Sequence, residues 1–151
     1  AKSFEDYPIA VEKTAKVDWT GTDRSFHATL GSGYEFEMNG PATPQGGSPV
    51  EFLIAGAVGC TAMDVIHILQ RRRQNVTGLT VEVKGIQAED APNVFTDATF
   101  VYTVTGENIS PADVERAIEL SMTKYCSASI MLKRAGMNVT TEYRIKESVP
   151  A

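Results

Sequence analysis

The sequence predicts an α+β domain over residues 1–151, with the element order βββ-α-ββ-αα-β. Three observations carry that expectation. Apolar residues alternate with polar ones ahead of Gly40, again between Leu79 and Val104, and again from Val139 to Ile145, which is the period of strands with one buried face. One segment, Phe52 to Met63, is apolar without a single charge. No linker and no internal repeat divides the chain, so these strands and helices belong to one intertwined domain.

From Val11 to Trp19 apolar residues fall at about every second position, and Phe26, Ala28 and Leu30 then alternate with Ser25, His27 and Thr29. Gly31-Ser32-Gly33 turns the chain, and Tyr34, Phe36 and Met38 alternate with Glu35, Glu37 and Asn39 to complete a three-strand meander. The loop from Gly40 to Ser48 is rich in Pro and Gly and opens into a helix with a well-marked start. Ser48 suits the N-cap, Pro49 the first helical position and Glu51 the third, which completes a capping box. This helix is expected to run to Arg72 or Gln74, about 36 Å at the usual rise, with Asn75-Val76-Thr77-Gly78 ending it. A helix that is apolar on every side must be buried on every side. A 151-residue monomer has little material for that, so the pattern predicts a second subunit over part of the helix.

Leu79, Val81 and Val83 alternate with Thr80, Glu82 and Lys84, and Phe100, Tyr102 and Val104 with Thr99, Thr103 and Thr105; these are two strands paired across a turn at Asp90 to Asn93. Ser110-Pro111 opens a second helix, with Asp113 and Glu115 near its positive end, running to Lys124 or Tyr125. A short helix is expected from Cys126 to Arg134, stopped by Gly136, and Val139 to Ile145 forms the closing strand.

With 42% hydrophobic and 22% charged residues, the composition is that of a soluble globular protein that folds without disulfide or metal staples. The longest apolar run is broken by Asp64 and His67 before it reaches the roughly 18 to 20 residues of a membrane span, so no membrane partner is expected. Fourteen basic against nineteen acidic residues give a net charge of −5, which disfavours attraction to a nucleic-acid backbone. The one strong basic cluster, Arg71-Arg72-Arg73, falls where the long helix ends and complements its dipole; an anion or nucleic-acid site is the competing reading. The segment AKSFEDYPIAVEK lacks the basic-then-apolar pattern of a secretory signal, and a cytoplasmic location is expected. In a reducing cytosol, two cysteines are reactive or buried thiols rather than a permanent bridge.

Those cysteines, Cys60 within the apolar helix and Cys126 at the head of the short one, are the chemically informative residues. A free cysteine serves as nucleophile and redox centre, or packs as a small inert hydrophobe; the sequence leaves both open. Cys60 lies about three turns into its helix, beyond the reach of the helix dipole, so a thiolate there needs another source of stabilisation. On a helical wheel Asp64, His67 and Arg71 fall within about 40° of Cys60. Asp64 alone would raise the thiol pKa, and an arginine brought from elsewhere would lower it. His67 sits about 10 Å further along the axis, too far for a direct Cys–His pair, and His27 is expected to be solvated on the polar side of its strand. Histidines and cysteines scattered singly lack zinc-ligand spacing, and Gly46-Gly47 lacks the lysine of a phosphate loop. No metal or organic cofactor is expected.

The segment Ser48-Pro49 to Glu51 leading to Gly59-Cys60, together with Lys124-Tyr125-Cys126-Ser127 ahead of a short helix, resembles the OsmC/Ohr superfamily. Its YhfA-like branch is the closest likeness, on GCTAMDVIHILQRRRQNV (59–76) and KYCSASIMLKRA (124–135), and the likeness spans nearly the whole chain. The resemblance implies an OsmC-like fold: an interwoven homodimer with a long buried central helix wrapped by antiparallel sheets and active sites at the subunit interface. It also implies a thiol-dependent peroxidase acting on organic hydroperoxides or hydrogen peroxide, with Cys60 as the attacking cysteine, Cys126 as the resolving one, and an external thiol as reductant. The family's activating arginine would be Arg24 and its carboxylate Glu51. Peroxidase members place that glutamate where this chain has Val50, and a proline where it has Ser127; one helical position turns a side chain by about 100°. The alternative is a noncatalytic OsmC-like dimer that binds a small hydrophobic ligand or senses oxidants.

Overall fold

A computed structural model describes residues 11–148, which fall into two compact units, one ending at Phe52 and one beginning at Leu53. Strands β1 (Ala15–Trp19), β2 (Ser25–Leu30) and β3 (Glu35–Asn39) form the expected antiparallel meander. Ala28 lies opposite Phe36, and Trp19 opposite Phe26. Gly33 supplies the positive φ of +94° that the β2–β3 turn requires. His27 is not simply solvated: its ring lies between the carboxylates of Glu35 and Glu37, and both contacts hold the imidazole above its ordinary pKa, Glu35 most.

Helix α1 (Pro49–Arg71) begins with the capping box. The Ser48 N–H donates to Glu51 Oε1 at 2.9 Å, and the Glu51 N–H points back at Ser48 Oγ at 3.4 Å. The helix ends earlier than expected. Arg73 takes a left-handed φ of +59°, the Gln74 N–H returns to the Leu69 carbonyl, and the chain passes directly into β4. The residues expected to stop the helix, Asn75 to Gly78, are therefore strand, with a bulge between Val76 and Gly78 absorbing the irregularity.

Strands β4 (Asn75–Gln87) and β5 (Phe95–Glu107) are longer than their clearest alternation suggested and pair antiparallel. The closing strand β6 (Asn138–Glu147) joins β5 in parallel, which corrects the expectation of purely antiparallel sheets. The physical reason is the connection: between β5 and β6 the chain crosses over through helices rather than turning back in a hairpin. One face of this sheet presents Ala98, Phe100, Tyr102 and Val104 to the core. Ala57, Val65 and Leu69 of α1 and Val114, Ala117 and Ile118 of α2 (Pro111–Leu120) join the same cluster. At Gly106 a Cβ would collide with the Asn75 carbonyl oxygen, so the β4–β5 pairing needs glycine there.

Helix α2 is capped by Ser110, whose hydroxyl accepts the Asp113 N–H at 3.3 Å. It does not continue as α-helix to Tyr125. Residues Ser121–Tyr125 form a π turn, Cys126 is extended, and α3 (Ser127–Arg134) starts afresh, with Ala135 as its C-cap and Gly136, φ +110°, just beyond it.

A single chain buries only one side of α1. Within the chain only Ala57, Thr61, Val65 and Leu69 are fully buried, a stripe at four-residue spacing, while Leu53 and Met63 remain 52% and 72% exposed. By length and composition α1 is apolar enough to cross a bilayer, Asp64 and His67 notwithstanding. Its buried stripe belongs to the core on the β4–β5–β6 sheet.

Candidate functional site

The fold brings the two cysteines together across 66 positions of sequence. The sulfurs of Cys60 and Cys126 and a carboxylate oxygen of Asp64 all lie within 4.8 Å of one another. Cys60 and Asp64 project from successive turns of α1. Cys126 is delivered by the break between the π turn and α3, where its extended backbone makes it the N-cap of α3. Its sulfur accepts the Ser129 N–H at 3.5 Å and lies 3.0 Å from Ser129 Oγ. Cys126 and Ser129 are both fully buried, whereas Cys60 is partly exposed. Burial pushes the Cys126 thiol above the usual cysteine range; the bonds from Ser129 oppose that shift and the neighbouring Cys60 adds to it.

Asp64 is anchored by a chain of hydroxyls. Ser121 Oγ donates to Asp64 Oδ2 at 2.9 Å, Thr61 Oγ1 lies 2.8 Å from Ser121 Oγ, and Tyr102 OH lies 2.7 Å from Thr61 Oγ1. Because the carboxylate only accepts, the three hydroxyls line up as donors towards it, Tyr102 to Thr61 to Ser121. Burial, the largest cause, pushes Tyr102 up to about 12, so its hydroxyl stays protonated and able to donate. Asp64 also lines a cavity of about 640 Å³ together with His67, Ile68, Arg71, Leu120 and Tyr125. Of the basic cluster, Arg72 is paired with Asp113, Nη1 to Oδ1 at 2.7 Å.

The other residues expected at the site lie in the amino-terminal unit. Glu51 spends its carboxylate on the capping box, where it also accepts the Ser48 hydroxyl at 3.2 Å. Arg24 lines a cleft with Thr22, Ser25, Asn39 and Pro41, and its carbonyl accepts the Gly40 N–H at 3.1 Å. Sequence reasoning missed the hydroxyl chain and Ser129. Thr61 left one signal, a hydroxyl inside an otherwise apolar run, and Asp64 another, its position one turn from Cys60. Nothing local marks Ser121 or Tyr102 as their partners.

A partly exposed thiol beside a buried one, both within 4.8 Å of a carboxylate oxygen, makes a paired-thiol centre on an α+β scaffold. Comparison with known proteins gives that scaffold its family. The OsmC-like protein family matches residues 41–142. Protein YhfA of Escherichia coli strain K12 is 37% identical over 131 residues, spanning 87% of this chain and 96% of that protein. A hypothetical protein of Aquifex aeolicus VF5 superposes with a TM-score of 0.82 at 24% identity, over 93% of this chain and all of that one. The organic hydroperoxide resistance protein OhrB of Bacillus subtilis shares the fold, with a TM-score of 0.59 at 15% identity over 89% and 98% of the two chains. The chain therefore belongs to the OsmC/Ohr superfamily, in its YhfA-like branch, as the sequence motifs implied.

Proposed function

We propose that the protein is a thiol-dependent peroxidase that reduces organic hydroperoxides or hydrogen peroxide through Cys60 and Cys126. The observation that carries this reading is the convergence of the two sulfurs and the Asp64 carboxylate within 4.8 Å. The Cys60 thiolate attacks the outer peroxide oxygen; the O–O bond breaks, an alkoxide leaves and takes up a proton as the alcohol, and Cys60 becomes a sulfenic acid. The Cys126 sulfur then displaces the sulfenic oxygen as water, leaving a Cys60–Cys126 disulfide. Two equivalents of an external thiol return both cysteines to the reduced state, and the reducing cytoplasm expected from the sequence would supply them. Partial exposure of Cys60 suits the attacking role and complete burial of Cys126 the resolving one.

The negative charge of Asp64 opposes formation of a second anion beside it. Activation of Cys60 therefore calls for a cation, and Arg24 is the proposed source; Glu51 is its proposed carboxylate partner through the family resemblance. The exposed apolar residues Leu53 and Met63 on α1 support a homodimer built around this helix.

One equivalent of cumene hydroperoxide added to the reduced protein tests the reading. The expected result is loss of both thiols per chain, a Cys60–Cys126 disulfide on peptide mapping, and no such loss in Cys60→Ser. In Cys126→Ser, dimedone is expected to trap a sulfenic acid at Cys60. Thiols that persist for many minutes would overturn the peroxidase and leave the ligand-binding dimer as the reading of this fold.

A further inference from the structure

The three donors that converge at the paired-thiol centre are also a metal-ligand set, one that sequence spacing concealed because Cys126 comes from another element. We infer that Cys60, Asp64 and Cys126 form a zinc site with an open fourth position.

Two thiolates and one carboxylate suit a soft or borderline divalent ion such as zinc, and are a poor match for magnesium or calcium, which take oxygen donors. With bonds of about 2.3 Å to sulfur and about 2.1 Å to oxygen, a tetrahedral zinc needs its donors about 3.6 to 3.8 Å apart. The donors here lie within 4.8 Å of one another, so a contraction of about 1 Å, within the range of small side-chain rotations, closes the site. Cys60 and Asp64 are held at fixed spacing by one rigid helix, and Cys126 by its place as the cap of another.

The surroundings also fit. Ser121 donates to one oxygen of Asp64 and so orients the carboxylate, as hydrogen bonds behind metal ligands do. The Ser129 N–H points at the Cys126 sulfur, and its hydroxyl at 3.0 Å can turn to donate once that sulfur is a thiolate. Binding displaces the two thiol protons to solvent, leaving two thiolates and a carboxylate on Zn²⁺ with net charge −1. Three protein ligands leave a fourth position for water or an added ligand. Zinc and a Cys60–Cys126 disulfide compete for the same sulfurs, so oxidation of the pair expels the metal. The site does not depend on peroxide turnover.

The test is a titration of reduced, metal-stripped protein with zinc in competition with a chromophoric chelator, repeated with cobalt to read thiolate-to-metal charge transfer. The expected result is one ion per chain, release of protons on binding, and a sulfur-to-cobalt absorption band. Cys60→Ser and Cys126→Ser are each expected to weaken binding at least tenfold and to reduce that band, and Asp64→Asn to weaken binding while keeping it. Serine at position 126 also keeps an N-cap, so circular dichroism shows whether the variant is folded. Ser129→Ala, which leaves all three ligands in place, is expected to weaken binding by about tenfold. Zinc that binds equally well to the Cys60→Ser/Cys126→Ser double variant, or cobalt binding without a sulfur band, would overturn the site.

Discussion

Ser121 Oγ stands 2.9 Å from Asp64 Oδ2 and donates to it, so the carboxylate beside the two thiols is held by a hydroxyl from the π turn. The same Ser121 oxygen accepts from Thr61, and Thr61 from Tyr102, so the surface of the site is tied to the middle of strand β5.

Breaking this chain in its middle should therefore cost more than trimming its end. Ser121→Ala removes the donor to Asp64 and the acceptor for Thr61 at a fully buried position, with an expected loss of about 2–3 kcal/mol. Tyr102→Phe removes only the last donor and keeps the ring in the core, with an expected loss of about 1 kcal/mol. Urea unfolding of the two variants measures both, and equal losses would show that the chain does not act as a unit.

Cys126 has a structural duty besides its place in the site, since its sulfur accepts the Ser129 N–H at the start of α3. Cys126→Ala should lose about 1 kcal/mol of stability through the missing cap, whereas Cys126→Ser, a better cap, should lose less. Denaturation midpoints of the two variants separate the cap from the thiol. A larger loss for serine than for alanine would mean that apolar burial, not capping, is what position 126 requires.

His27 lies in the amino-terminal meander, held above its ordinary pKa first by Glu35 and then by Glu37. The folded chain therefore holds this proton more tightly than the unfolded chain does. The stabilisation is complete below the unfolded value of about 6.5 and is lost as pH rises through the higher folded value. NMR titration of His27 is expected to give a midpoint above that of a free histidine, and Glu35→Gln together with Glu37→Gln to bring it back. A midpoint at or below the ordinary value in the parent protein would contradict the pairing.

Much of this was legible from period and caps alone. Ser48, Pro49 and Glu51 located the start of α1, and alternation located all six strands, because these signals are local. What escaped was set by distant contacts. The parallel entry of β6 follows from the crossover, and the stop of α1 comes from the left-handed turn at Arg73 rather than from Gly78. At the site, Asp64 could be found from Cys60 by helical spacing, but the meeting of Cys60 with Cys126 depends on where the π turn ends, which no spacing rule encodes.

The two thiols should also differ sharply in reactivity, and the difference bears on which one attacks. Cys60 is partly exposed, while Cys126 is fully buried, occupied by Ser129 and raised in pKa by that burial. Only a thiolate in contact with solvent reacts with a bulky disulfide reagent. DTNB added to the reduced, folded protein is therefore expected to label one thiol per chain quickly and the second slowly, at the rate of local opening. In Cys60→Ser the fast phase should vanish and the slow one remain; in Cys126→Ser the reverse holds. Denaturant should merge the two phases in the parent protein. If the fast phase survived in Cys60→Ser, Cys126 would be the accessible nucleophile, and the attacking and resolving roles proposed here would have to be exchanged.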